Sequence, residues 1–313
     1  YKDLLGIDPA GNRQINAALQ SGKQHIMLYG PPGTGKTTLA RWIATKLAGG
    51  KWNLITGSAD WSSQDIIGGY QPIGAGEVAF MPGILLKNFD QPLIIDELNR
   101  CDIDKVLGPL FTVLSGQHTS LPYRTDVSDQ DSPAYMILPK PKATKGAHEF
   151  APGPHWRLLA TINSIDKASL YQMSYALSRR FGWIYVDAPA DKSAFLRDYL
   201  KSAHGVTAGA GPCPLASIWD AINATRVLGP APFIDAVRAI QAMDAGADFF
   251  AAPSPAMQGY LLDAFDMLVL PLMDGILRHD AEALADAIAG HLGLAEDSAG
   301  RRRVKERLVG VAV

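Results

Sequence analysis

Short apolar runs alternate with stretches of helical period from about residue 25 to residue 187. His25 to Tyr29 is an apolar run closed by Gly30 and Pro31, which predicts a buried strand. From Thr37 to Leu47, Leu39, Ile43 and Leu47 recur at four-residue steps and predict a helix. Trp52 to Thr56 reads as a second strand and Leu93 to Asp96 as a third, with a helix over Asp102 to Leu114. Trp156 to Ile162 reads as a fourth strand, Leu170 to Arg180 as a helix and Trp183 to Val186 as a fifth strand. Strands alternating with helices predict a mostly parallel sheet covered on both faces.

Two stretches break the rhythm. Gly68 to Leu86 mixes five glycines and two prolines with short apolar pieces, which predicts a hairpin inserted near a helix. Ser120 to Pro154 is polar and carries Pro122, Pro133, Pro139, Pro141, Pro152 and Pro154. It reads as a long loop, either functional or a decorative surface insertion. Beyond Asp187 the pattern turns helical: Asp191 to His204, Leu215 to Val227, Phe233 to Ala245 and Met257 to Ile276. Glu282 to His291 and Arg302 to Leu308 add to it. The expected division is an α/β nucleotide-binding domain over 1–188, with inserts near 68–86 and 120–154, and a helical domain over 189–313.

Composition narrows the class. Apolar residues make up 47% of the 313 and charged residues 19%, the balance of a folded chain with room for two domains. A net charge of −2 argues against a globally basic nucleic-acid binder. The local run Arg301 to Arg307 reads as a solvated face or as a contact for nucleic acid or acidic lipid. Cys101 and Cys213 are too few for a disulfide framework or a four-cysteine zinc site, so a reducing, cytoplasmic setting is expected. Cys101 itself reads as a small packed residue. The longest apolar run near the C-terminus, Met267 to Met273, is far short of the roughly 20 residues of a membrane span. The chain opens at Tyr1 without an initiator methionine, as a piece of a longer chain would.

Gly30-Pro31-Pro32-Gly33-Thr34-Gly35-Lys36-Thr37 fits the pattern G-x-x-x-x-G-K-[ST] between a strand and a helix. Glycines let backbone N–H groups curl around a phosphate, and the following helix points its positive end at the same anion. Lys36 reaches the β and γ phosphates, and the Thr37 hydroxyl suits Mg²⁺. Thr38 follows on the same turn and counts with the nucleotide-binding residues. Leu93-Ile94-Ile95-Asp96-Glu97 ends a strand in two carboxylates. Asp96 suits the Mg²⁺ shell, and Glu97 suits the polarising of a water for in-line attack. The fourth strand ends at Asn163, which reads as an amide holding that water or as a turn residue. Asp166 reads as a helix cap, with a catalytic role the lesser reading. Arg179 and Arg180 close the next helix and read equally as dipole caps or as an arginine finger.

These motifs, with Ile94 to Arg100, Thr161 to Asn163 and Ala176 to Phe181, stand in the order found in AAA+ ATPases. More narrowly, Asp96 to Arg100 followed by Lys105 to Leu110, and Asn163 to Asp166 beside Tyr175 to Phe181, resemble the MoxR/McrB/dynein-related branch. Ile67 to Pro72 and Phe80 to Leu85 resemble the stretch of MoxR proteins that carries a hairpin insert in helix 2. The resemblance covers residues 25–187 and is weaker beyond. It implies a five-stranded αβα P-loop NTPase core with a helical lid, assembled as a homo-oligomeric ring, commonly a hexamer. Nucleotide would lie between adjacent subunits. By that pattern Asn163 matches sensor 1, and Arg179 or Arg180 the finger supplied in trans. Arg100 matches a position that can act across the interface. At the position of the sensor 2 arginine stands Phe233; Arg226 and Arg238 flank it and could substitute. The resemblance implies Mg²⁺-dependent hydrolysis of ATP by a motor that remodels or activates a protein client, with nucleic acid reached only through a partner. The alternatives are a GTP-specific motor of a DNA restriction complex, and a nucleotide-gated assembly module with little turnover.

Overall fold

The structure, a computed structural model, describes residues 9–21, 25–74, 76–163 and 173–313. Chain contacts divide these into two units. One comprises Pro9–Gly30 and Lys36–Val186; the other comprises Asp187–Val313 together with Pro31–Gly35.

The first unit opens with helix α1 (Pro9–Gln20), which the apolar pattern had not suggested. Strand β1 (His25–Gly30) follows and leads to α2 (Lys36–Ala48) and β2 (Asn53–Thr56). A short helix α3 (Ser63–Ile66) precedes a hairpin, β3 (Gly68–Gly74) and β4 (Glu77–Pro82), and α4 (Ile84–Lys87) closes it. Next come β5 (Leu93–Asp96), α5 (Ile103–Leu107) and α6 (Phe111–Leu114), then β6 (Thr119–Arg124), β7 (Ala134–Ile137) and β8 (Glu149–Phe150). Strand β9 (Leu158–Asn163), helix α7 (Tyr175–Ser178) and strand β10 (Phe181–Tyr185) complete the unit.

The central sheet has five parallel strands in the order β10-β1-β9-β5-β2. Strands β1, β5 and β9 are apolar almost throughout and buried along their length, as parallel strands with covered faces must be. In this order β1 and β5 lie on either side of β9. The C-terminal ends of all three open on one edge, where open parallel sheets bind ligands.

Three elements differ from the sequence expectation. The helix expected over Asp102 to Leu114 is broken into α5, a 3₁₀ turn at Gly108–Leu110 and α6, because Pro109 has no N–H and its ring blocks a continuous ladder. Residues 120–154 are not one loop: β6, β7 and β8 form a three-stranded sheet. Tyr123, Tyr135 and Phe150 of that sheet stack around Phe80 of the hairpin, at ring separations of 5.1, 4.5 and 5.8 Å. The Tyr70 hydroxyl accepts from Arg124 N at 2.6 Å. The two inserts are thus one structure joined by an aromatic cluster. In place of the helix expected over Leu170 to Arg180, the described part is α7, capped by Ser174; residues 170–172 lie outside the described residues.

The described residues of the second unit form six α-helices: α8 (Lys192–His204), α9 (Pro214–Thr225), α10 (Ala231–Met243), α11 (Pro255–Ala264), α12 (Arg278–Leu292) and α13 (Ala299–Gly310). Side chains of Asp191, Ser254 and Ser298 cap α8, α11 and α13. The helix expected over Met257 to Ile276 ends at Ala264 and continues as a π turn and a 3₁₀ turn, with Pro271 in the latter. Trp219 and Phe233 stack 4.4 Å apart at the centre of the core. The basic run is largely paired internally: Arg301 with Asp286, and Arg303 with Asp263 and Asp266, each at 2.8 Å. Among the described residues no helix is long and apolar enough to cross a membrane.

Candidate functional site

Strand β1 stops at Gly30 and α2 starts at Lys36, so the phosphate loop is the turn between them. Gly33 and Gly35 sit at φ +74° and +82°, a backbone region that side-chain-bearing residues enter at a cost. Within the helical unit, Thr34 Oγ1 donates to Pro31 O at 3.0 Å, Pro32 O accepts from Gly229 N at 2.9 Å, and Gly33 O accepts from Ala231 N at 3.1 Å.

In the sheet unit, Lys36 is buried and its Nζ donates to Gly30 O at 3.0 Å. Burial pulls its pKa from 10.5 to about 8, against the opposing pull of the Asp96 and Glu97 carboxylates. It stays protonated near neutral pH. Thr37 Oγ1 donates to Asp96 Oδ1 at 2.7 Å, so the residues singled out for a metal meet directly. A hydroxyl beside a carboxylate is a hard oxygen set of the kind that holds Mg²⁺ together with retained waters. These residues therefore fit the ion. Thr38 is exposed on the first turn of α2.

Asp96 Oδ1 accepts a second hydroxyl, from Thr161 on β9, at 2.6 Å. The Thr161 oxygen in turn accepts the backbone N–H of Glu97 at 2.9 Å. Glu97 has φ +53°, the one non-glycine residue with positive φ among those described. Its carboxylate pairs with Arg100 Nε at 2.7 Å, and both side chains are partly exposed. Asn163 ends β9 in register with Gly30, which sets its amide level with the start of the phosphate loop.

The arginines differ from each other. Arg180 is anchored: its Nε donates to Phe111 O at 3.0 Å and Ser115 Oγ at 2.8 Å, and its terminal nitrogens reach Ala176 O and Ser115 Oγ. Arg179 is exposed, with its guanidinium 5.8 Å from the Tyr175 ring centre. Both line a surface cleft of about 430 Å³ with Ser115, Tyr175 and Ala176. Helix α7 beneath them is tied down at its start, where Ser174 N and Oγ donate to the Asp104 carboxylate at 3.0 Å.

The remaining candidates are occupied elsewhere. Phe233 is wholly buried and carries no charge to offer a phosphate. Arg226 donates to Leu272 O at 2.6 Å, and Arg238 to the Tyr199 hydroxyl at 3.1 Å. The Cys101 thiol donates to Leu98 O, and burial pushes its pKa up to about 11, so it is a packed group and no nucleophile. Asp166 lies outside the described residues. Thr161 escaped the sequence reading; its signal was a lone hydroxyl in the otherwise apolar run Leu158 to Ile162.

Residues 25–181, half of the chain, match the AAA domain family of the dynein-related subfamily. The chain is 31% identical over 196 residues to the type IV methyl-directed restriction enzyme EcoKMcrB subunit of Escherichia coli (strain K12), covering 57% of this chain and 38% of that subunit. It is 25% identical over 288 residues to protein MoxR of Paracoccus denitrificans, covering 90% of this chain and 71% of MoxR. The chain thus spans well under half of the first of these relatives. The Thermotoga maritima RuvB Holliday junction branch migration motor shares the fold, with a TM-score of 0.51 at 18% identity over 97% of this chain and 87% of that one. The chain therefore belongs to the AAA domain family of the dynein-related subfamily.

Proposed function

We propose that this chain binds and hydrolyses ATP with Mg²⁺ inside a homo-oligomeric ring and uses the cycle to remodel or activate a partner protein. The observation that carries the reading is the convergence of Thr37, Asp96 and Glu97 on one edge of the sheet. Lys36 and the loop amides would hold the β and γ phosphates, with Thr38 beside them on α2. Thr37 and Asp96 would hold Mg²⁺, which when bound neutralises charge on the phosphate oxygens. Glu97 would orient and deprotonate the attacking water, steadied by the Asn163 amide.

Glu97 must leave Arg100 to do this. The pair is exposed enough to be worth less than about 1 kcal/mol, so a bound nucleotide or a neighbouring subunit can displace it. Arg179, exposed on α7, is the better candidate for the finger in trans; Arg180, held by Phe111 and Ser115, anchors the helix that presents it. A head-to-tail ring brings one subunit's α7 to the next subunit's phosphates.

The similarity to a restriction-enzyme subunit supports a second reading, a GTP-driven motor of a DNA restriction complex. Supply in trans is tested by mixing Arg179→Ala with Glu97→Gln subunits, each inactive alone. In a random 1:1 ring about one interface in four pairs an intact Glu97 with an intact Arg179, so activity should return to that order. No recovery at any ratio would place the finger elsewhere.

A further inference from the structure

One buried hydroxyl serves both acids of the site. Thr161 is 2% exposed and lies on β9 beside β5. The register Leu93 with Leu158, Ile94 with Leu159 and Ile95 with Ala160 carries forward to set Thr161 level with Asp96. A threonine hydroxyl has one proton to give and lone pairs to receive with. The Glu97 amide can only donate, so it takes a lone pair of Thr161, at 2.9 Å. Asp96, when ionised, can only accept, so it takes the Thr161 proton, at 2.6 Å. The directions of both bonds are thereby fixed.

The two bonds do different work. Asp96 Oδ1 is held from two sides, by Thr37 on α2 and by Thr161 on β9. If Thr37 turns its oxygen to a metal, Thr161 still fixes the carboxylate. The second bond pins the backbone at Glu97, which sits in the left-handed region at φ +53°, where a glutamate stays only if its surroundings hold it. Helix α2, the β5 acids and β9 are thus linked through Asp96 Oδ1 and Thr161 Oγ1.

We propose that Thr161 is a positioning residue for this site: its hydroxyl sets the Asp96 carboxylate for the metal and holds the Glu97 turn from which the attacking water is activated. This rests on the ATPase reading above. Valine has nearly the shape of threonine and lacks the hydroxyl, whereas serine keeps it.

The test uses the full chain and two readouts: the Mg²⁺ concentration that half-saturates binding of a fluorescent ATP analogue, and kcat and KM for phosphate release. Thr161→Val should raise the Mg²⁺ midpoint about fivefold and lower kcat at least about tenfold with KM within about twofold. Thr161→Ser should stay within about twofold of the wild type on both. A residue that only fills space would lower the melting temperature and leave the Mg²⁺ midpoint and kcat of the folded fraction alone; that result, or a Thr161→Val protein with wild-type values, would overturn the proposal. If Thr161→Val does not fold, Thr161→Ala against Thr161→Ser makes the same comparison. A wild-type chain that binds nucleotide but releases no phosphate would overturn the hydrolytic reading, and the Mg²⁺ midpoints would still decide Thr161.

Discussion

Replacing Glu97 with glutamine separates chemistry from folding. The substitution keeps the shape of the side chain and removes its charge and basicity. On the folding side, the carboxylate pairs with Arg100 at 2.7 Å, partly exposed. Such a pair is worth about 0.2–1 kcal/mol, and the backbone N–H bond to Thr161 is untouched by the change. The melting temperature should therefore move by no more than about 4 °C. On the chemical side, a positioned general base contributes about 10²–10⁴ in rate, or at least about 2.7 kcal/mol of barrier. The effect on turnover should exceed the effect on stability by well over 1 kcal/mol. Phosphate release, a thermal melt and equilibrium binding of a nucleotide analogue on the same preparation measure all three quantities. Glu97→Gln should melt and bind as the wild type and turn over at least about a hundredfold more slowly. Unchanged turnover, or a loss of turnover matched by a comparable loss of binding or stability, would refute the role of Glu97.

Four further outcomes follow from the geometry. Arg180→Ala should lower stability by about 1–2 kcal/mol in chemical denaturation, since its hydrogen bonds to Phe111, Ser115 and Ala176 are lost, while Arg179→Ala should abolish turnover with nucleotide binding intact. Asp104→Ala should reduce turnover several-fold with nucleotide binding intact, because the cap of the Arg179 helix is released; equal turnover in the two proteins would disprove that link. His25 is buried neutral, its pKa lowered from 6.5 to about 3 by burial and then by Arg157, while its Nδ1 accepts from Leu158 N. The unfolded chain therefore binds more protons in that window, and stability should fall by up to about 1.4 kcal/mol per pH unit as pH drops from 6.5 toward 3, a slope that His25→Gln should flatten. Phe80→Ala should cost about 3 kcal/mol or more in a denaturant titration, because one ring holds Tyr123, Tyr135 and Phe150 together.

The sheet was legible in the sequence because buried parallel strands write themselves as apolar runs, and each of the five lies within a residue or two of its expected place. The phosphate loop and the acidic pair were legible because their chemistry demands fixed residue types at fixed spacing. What was not legible depends on contacts between distant residues. The sheet within 120–154 is stabilised by rings that meet Phe80 some forty to seventy residues away, and no local period announces that. Pro109 and Pro271 stood in view, yet the apolar period ran straight through both and concealed the breaks. Phe233 sits at the position expected of a cation, but packing against Trp219 decided its place. The distinct settings of Arg179 and Arg180, adjacent in sequence, follow from where Phe111 and Ser115 lie in space. Thr161 is visible only once β5 and β9 are known to be neighbours.

Hydrolysis of a nucleoside triphosphate at the Lys36–Asp96–Glu97 edge of the sheet is tested by steady-state phosphate release from ATP and from GTP, with Lys36→Ala as the blank. Mg²⁺-dependent release from ATP that Lys36→Ala abolishes is the expected result. Release from GTP alone would shift the reading to the restriction-type motor. Release that survives in Lys36→Ala, or no release from either nucleotide, would overturn hydrolysis at this edge.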